Sequence, residues 1–355
     1  MLSRVAESLY WIGRYLERSE STARLLDVNY YAILEGAGLV TEQWPPLLGI
    51  TGSENNFKTR HVKADAKSVP FWLAFDLYNP SSIRSCISQA RENARSLRDR
   101  ISTEMWESIN RAYLELCFNT DTVLENDALH EYCTKVREVS HLFHGIALST
   151  LQRDQGWQFL RIGQMIERAD NQLRLLQVRY RKSKADGADF AEALENHRWM
   201  AVLKSASAYE SYRKLHHTRL APRSIAEYLL LEPSFPRSVL YSITGVRDAL
   251  KKLPGSGGVL REAEPTAART LKELLATPAR APRDFKAPVA PNWWHVDTIS
   301  KRLGMTRLRE VLGVFMDQLK LDNAHFEVAE LEQMLDLAEQ LDQSAATLTL
   351  KQRFV

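Results

Sequence analysis

The stretch "IGRYLERSESTARLLDV", residues 12–28, sets Glu17, Arg18, Glu20 and Arg24 among apolar side chains. Around it, Val5, Leu9, Ile12, Leu16, Ala23 and Leu26 recur at steps of three, four and seven, the period of a helix with one apolar face. On that helix Gly13, Glu17, Glu20 and Arg24 form a stripe at i, i+4, i+7 and i+11, and Glu20 borders the apolar side. The charges are therefore a solvated face, a buried ion-pair network or a site.

The same pattern returns 150 residues later. "IGQMIERADNQLRLLQV", residues 162–178, matches the first stretch at eight of 17 positions, where ordinary composition gives about one by chance. Gly163, Glu167, Asp170 and Arg174 repeat the stripe, with Asp170 in place of Glu20. A second match follows in the same order: "WLAFDLYNPSSIRSCISQARE" (72–92) lies over "YLLLEPSFPRSVLYSITGVRD" (228–248). It aligns Pro80 with Pro236, Ser82 with Ser238, Arg91 with Arg247 and Glu92 with Asp248. In both, proline in the first turn and a serine able to cap mark a helix start. Two collinear matches predict a duplicated helical unit. A charged stripe present in both copies argues against a solvated face and narrows the choice to a buried brace or a shared ligand site.

Helical periodicity extends over 2–36, 81–100, 103–118, 125–150, 157–182, 190–216, 236–252, 265–276, 296–317 and 323–347. Strand patterns are scarce. The polar segment 51–69 is expected to be a loop, "PGSGG" (254–258) a turn, and the proline-punctuated 277–294 a connector. The expectation is an all-α helical bundle, an internally duplicated unit with pseudo-twofold symmetry. It forms a single domain over 1–355 with repeats of about 1–150 and 151–355.

Net charge is +3, from 47 basic and 44 acidic residues, a balance that favours neither nucleic acid nor a membrane as partner. No apolar run reaches 18 residues, and Arg4 and Glu7 interrupt the start, so a cytoplasmic protein is expected. Cys86, Cys117 and Cys133 lack CxxC spacing and are expected as buried thiols.

Catalytic signatures for nucleotide, zinc-peptidase or serine-hydrolase chemistry are missing from the sequence, and no cofactor is expected. A di-metal helical site needs Glu-x-x-His on two helices; only Glu138 and His141 show that spacing. Glycine costs a mid-helix position about 1 kcal/mol against alanine, so Gly13 and Gly163 suggest a close backbone or ligand approach. Arg91, Arg95 and Arg98 share a face that can clamp an anion or sit solvated beside Glu92. Ser205–Ala208 permit close helix packing, and Glu210 and Arg213 are placed to join the polar network.

"MLSRVAESLYWIGRYLERSESTARLLDVN", "NPSSIRSCISQARENARSLRDRISTEMWESIN" and "GWQFLRIGQMIERADNQLRLL" together resemble the bacterial alpha-E family, all-helical proteins marked by ER motifs. The resemblance spans nearly the whole chain and is weakest over 255–295. It implies an accessory helical component of a peptide- or amide-bond-forming system, with a circularly permuted ATP-grasp ligase as partner. A transglutaminase-like peptidase is a second implied neighbour, and a homodimer stays open. The motif positions it carries over are Glu17, Arg18, Glu20, Arg24, Arg91, Glu92, Arg95, Glu167, Arg168 and Arg174; Asp170 departs from the first repeat's glutamate. The rivals are an enzyme working through the paired carboxylates and a structural scaffold.

Overall fold

In a computed structural model, which describes residues 3–34, 44–118, 128–185, 192–216 and 220–253, every regular element is a helix. The chain runs through α1 (Ser3–Leu34), α2 (Pro45–Thr51), α3 (Glu54–Lys58), α4 (Ser68–Ala74), α5 (Ile83–Arg95) and α6 (Thr103–Leu116). It continues through α7 (Leu129–Thr150), α8 (Gln155–Ala185), α9 (Glu192–Ser205), α10 (Tyr209–Leu215), α11 (Pro222–Leu231) and α12 (Val239–Lys251). The chain divides into two compact units, 1–249 and 250–355, and the helices belong to the first apart from the last two residues of α12. The turn at 254–258, the connector at 277–294 and the helices expected beyond residue 264 lie outside the described residues.

The two copies of the quoted pattern lie on α1 and α8, the longest described helices, and these two pack on each other. Their apolar stripes are buried: Ile12, Leu16, Ala23 and Leu26 from α1, Ile162, Ile166 and Leu173 from α8. At the crossing the backbones touch. A Cβ on Gly13 would fall on the Leu160 carbonyl oxygen, and one on Gly163 on the Tyr10 carbonyl oxygen, 2.9 Å from its carbon. Glycine is thus required here by close approach, and its lower helix propensity is offset by the contact.

Short helices complete the packing. α2 packs on α8, while α9 packs on α1; α4 lies on α1 and α11 on α8. Ser82 caps α5 by accepting from the Ser85 amide at 3.1 Å, and Ser238 accepts from the Tyr241 amide at 3.0 Å. α2 ends with Gly52 in the left-handed region (φ 67), where Gly52 N–H bonds Gly49 O and Ser53 N–H bonds Leu48 O. α9 ends the same way at Ser207 (φ 54), with Ser207 N–H to Lys204 O and Ala208 N–H to Leu203 O. After each turn a ring and a histidine stack, Phe57 on His61 at 4.7 Å and Tyr212 on His216 at 4.5 Å. Each first ring then meets another edge-on, Trp72 at 5.7 Å and Tyr228 at 5.5 Å.

Three expectations need correction. Residues 51–69 are not a continuous loop, because α3 and the start of α4 fall within them; five to seven residues are too few to display a 3.6-residue period. Residues 190–216 are not one helix: the Ser205–Ala208 run is the turn just described, hidden in sequence by serine where glycine is usual. Helix α11 was not anticipated, although Pro222 stands in its first turn. Cys86, Cys117 and Cys133 are buried and free. No described helix is long and apolar enough to cross a membrane.

Alanine at Gly13 or Gly163 is expected to lower stability by about 1–3 kcal/mol, the range for overpacking a filled contact. Gly145, on α7, has open space around it, and its alanine variant should gain about 0.5–1 kcal/mol from helix propensity. Urea unfolding of the three variants checks this; a stabilised Gly163→Ala protein would contradict the backbone contact.

Candidate functional site: a buried arginine–carboxylate hub

The glycine contact brings the stripes of α1 and α8 face to face, and their carboxylates leave water. Glu17, Glu20, Glu167 and Asp170 are all at most 3% exposed. A buried carboxylate is tolerable only if paired and hydrogen-bonded, and the pairing crosses between the helices. Arg18 of α1 grips Glu167 of α8, Nε to Oε1 at 2.7 Å and Nη2 to Oε2 at 2.9 Å. Arg168 of α8 grips Glu17 of α1, Nε to Oε1 at 2.9 Å and Nη2 to Oε2 at 2.8 Å. Both are two-pronged contacts, the geometry in which arginine and carboxylate are best matched.

Each glutamate receives a second guanidinium, from a different place. Glu167 takes Arg14, Nε to Oε2 at 2.5 Å, while Arg14 also donates to the Tyr10 hydroxyl at 2.8 Å. Glu17 takes Arg237, which precedes α12, at 3.2 Å, and the Gln164 amide at 3.4 Å. Arg237 reaches on to Glu20, which also holds Arg24 at 2.6 Å, the Ser140 hydroxyl at 3.0 Å and His141 at 3.3 Å. Asp170 is held by Arg174 through both prongs, and Arg174 donates to the Thr51 carbonyl at 3.2 Å. Arg24 correspondingly donates to the Ser207 hydroxyl at 2.9 Å.

Charge pairing overcomes desolvation at the three hub glutamates, whereas at Arg237 burial wins and lowers the guanidinium despite Glu20 and Glu17. Burial pushes the Glu167 carboxyl up, but Arg18 and Arg14 bring it down to about 2. Burial likewise opposes ionisation of Glu17, and Arg168 and Arg237 hold it below the ordinary value. Glu20 lies well below that value, burial being outweighed by Arg237 and by the bonds from His141 and Arg24. Arg14 is raised because Tyr10 and Glu167 outweigh its burial. His144, beside this cluster, is pushed down to about 4, by burial first, and its Nε2 has no hydrogen-bond partner among the described residues. Burial raises the Cys86 thiol to about 12, so it stays protonated at neutral pH.

Of the residues singled out from sequence, Glu17, Arg18, Glu20, Arg24, Glu167, Arg168, Asp170 and Arg174 are brought together. Arg91, Glu92 and Arg95 are not. Arg91 bonds Asn110 at 2.8 Å and Glu92 at 2.7 Å and lies 4.6 Å from the Tyr113 ring centre, and Arg95 pairs with Glu92 near the surface. Arg213 bonds Tyr209 rather than the hub. His141 is engaged by Glu20, and no group of three or more His, Cys, Asp or Glu among the described residues is arranged to hold a metal. Sequence reasoning missed Arg14 and Arg237. Comparing the matched sequence stretches hides both, since Arg14 aligns with Gln164 and Arg237 with Ser81.

A family model described as a predicted alpha-helical domain with a conserved ER motif matches residues 1–344. The chain belongs to the Alpha-E family. Two Glu-Arg dipeptides, Glu17–Arg18 and Glu167–Arg168, sit at the centre of the hub, where the two helices cross. An uncharacterised protein of Mycobacterium bovis is 27% identical over 276 residues, covering 73% of this chain and 30% of its own. Uncharacterised proteins of two Mycobacterium tuberculosis strains match over the same span at 27% and 26%. The chain therefore spans under a third of the length of these relatives. No solved structure matches.

The hub predicts how acid unfolds the protein. A group whose folded pKa is depressed stabilises the fold above its unfolded value and loses that contribution as pH falls through the folded one. For His144 the window runs from 6.5 down to about 4, and for Glu167 from 4.5 down to about 2. Stability measured by urea unfolding should thus decline in two stages below pH 6.5. His144→Gln should flatten the upper stage and leave the lower. Equal stability at pH 7 and pH 4 in the native protein would contradict this arrangement.

Proposed function

We propose that this chain is a binding module without catalysis of its own, an accessory subunit of an ATP-grasp amide- or peptide-ligase system. One observation supports it above others: the four carboxylates an enzyme would need are buried and each is occupied by arginine. General acid–base catalysis wants a carboxyl poised near the working pH and within reach of substrate; Glu17, Glu20 and Glu167 are buried and held low. The length relation supports a module too, since the matched region is a minority part of the mycobacterial relatives. The resemblance to alpha-E proteins that accompany ATP-grasp ligases supplies the partner, with a transglutaminase-like peptidase second.

The module is, on this proposal, an internal duplication with pseudo-twofold symmetry. The exchanged Arg18–Glu167 and Arg168–Glu17 contacts, the capping serines, the left-handed turns and the stacked ring–histidine pairs support that reading. The hub is its brace, fixing two copies of the unit in one orientation. The rival, an enzyme using the same carboxylates, requires Glu17 or Glu167 to shed its guanidinium partners during turnover.

Co-expression with the neighbouring or fused ATP-grasp ligase tests the proposal. A stable complex is expected, with ligation falling at least tenfold when the chain is deleted. No complex and unchanged ligation would refute it.

A further inference from the structure

A cavity of about 260 Å³ lies between α1, α7, α9 and the turn after α9. Its walls carry Arg24, Arg137 and Lys204, with Val28, Tyr31 and Met200 adding apolar surface. The acids at the cavity are Asp27 and Glu210. Asp27 is engaged, by Arg137 at 3.1 Å and His130 at 2.6 Å, and Glu210 is exposed. Cations thus exceed acids by one on its walls.

Two further observations point to a ligand. Arg24 is 8% exposed, and its Nε–H has no hydrogen-bond partner among the described residues, although Nη1 and Nη2 are both bonded. A buried guanidinium donor left unpaired costs free energy unless something accepts from it. The second is Ser207, the one non-glycine residue with positive φ among those described. The matching turn after α2 uses Gly52. An L-residue in the left-handed region costs about 1 kcal/mol or more, and what serine adds is the hydroxyl that accepts from Arg24 at the cavity wall.

We propose that this cavity binds the oxyanion head group, carboxylate or phosphate, of a small partly apolar molecule. Arg24, Arg137 and Lys204 supply the charge, Tyr31, Val28 and Met200 face the apolar portion, and Ser207 is a positioning residue that orients Arg24. The volume sets the size, below the usual range of about 300–1,000 Å³ for drug-sized ligands. Arg24 ties the cavity to the hub through Glu20, but the site does not depend on the ligase proposal.

Titration calorimetry of the full chain with phenyl phosphate, phenylacetate and benzyl alcohol tests it. These share a ring and differ in head group, so the first two separate phosphate from carboxylate and the third reports ring binding alone. At least one acid should bind ten times more tightly than the alcohol. Lys204→Gln and Arg137→Gln should each weaken that acid at least fivefold. Ser207→Gly should weaken it at least threefold while leaving the melting temperature unchanged or higher, a combination that a purely structural serine would not give. If neither acid outbinds the alcohol, or if the variants bind as the native chain does, the assignment is wrong.

Discussion

Two helix backbones in contact at Gly13 and Gly163 impose most of what is distinctive in this structure. At that separation the side chains one turn further along, Glu17 and Glu167, have no route to water. An unpaired buried carboxylate is not tolerable, so each helix must bring a guanidinium to the other's glutamate. Arg18 and Arg168, next in sequence, have the reach to do so. Neither glutamate stops at one partner, and the second comes from unrelated positions, Arg14 on α1 and Arg237 ahead of α12. The two ends of the crossing are therefore equivalent in chemistry without being identical in sequence.

That arrangement also separates what the hub can do from what it cannot. Four buried carboxylates on two packed helices resemble acid–base equipment, yet here each is already spent on arginine. Buried ion pairs of this kind add little net stability and penalise misalignment heavily, which suits a brace that fixes one packing. The cavity at the far side of Arg24 differs: it is partly open, its cations exceed its acids, and one of its buried donors is unpaired.

Much of this was legible in the sequence because it is periodic. The long helices announce themselves by the spacing of Leu9, Ile12 and Leu16, and the recurrence of Gly, Glu and Arg at offset 150 identifies the helices that carry the hub. What was not legible falls into two kinds. The short helices α2, α3 and α4 complete too few turns to show a period, and Ser207 occupies a position where glycine would have signalled the turn. Arg14 and Arg237 were invisible for the opposite reason: they lie where the two matched stretches differ. Recurrence also misled. Arg91–Glu92 and Arg247–Asp248 match between the stretches as well as the hub residues do, but both are near-surface pairs of adjacent residues. Repetition signals a shared environment, and burial has to be established separately.

The central claim is that each motif glutamate is locked to the arginine of the opposite helix. A double-mutant cycle on Arg18→Ala and Glu167→Ala, read by urea unfolding at pH 7, tests it most directly. Each single change should cost about 3–5 kcal/mol, the loss expected when one member of a buried pair is removed. The double variant should fall short of the sum by about 2 kcal/mol, within the range for residues in contact. Additivity to within about 0.5 kcal/mol would mean that the two side chains do not depend on each other, and would contradict the account.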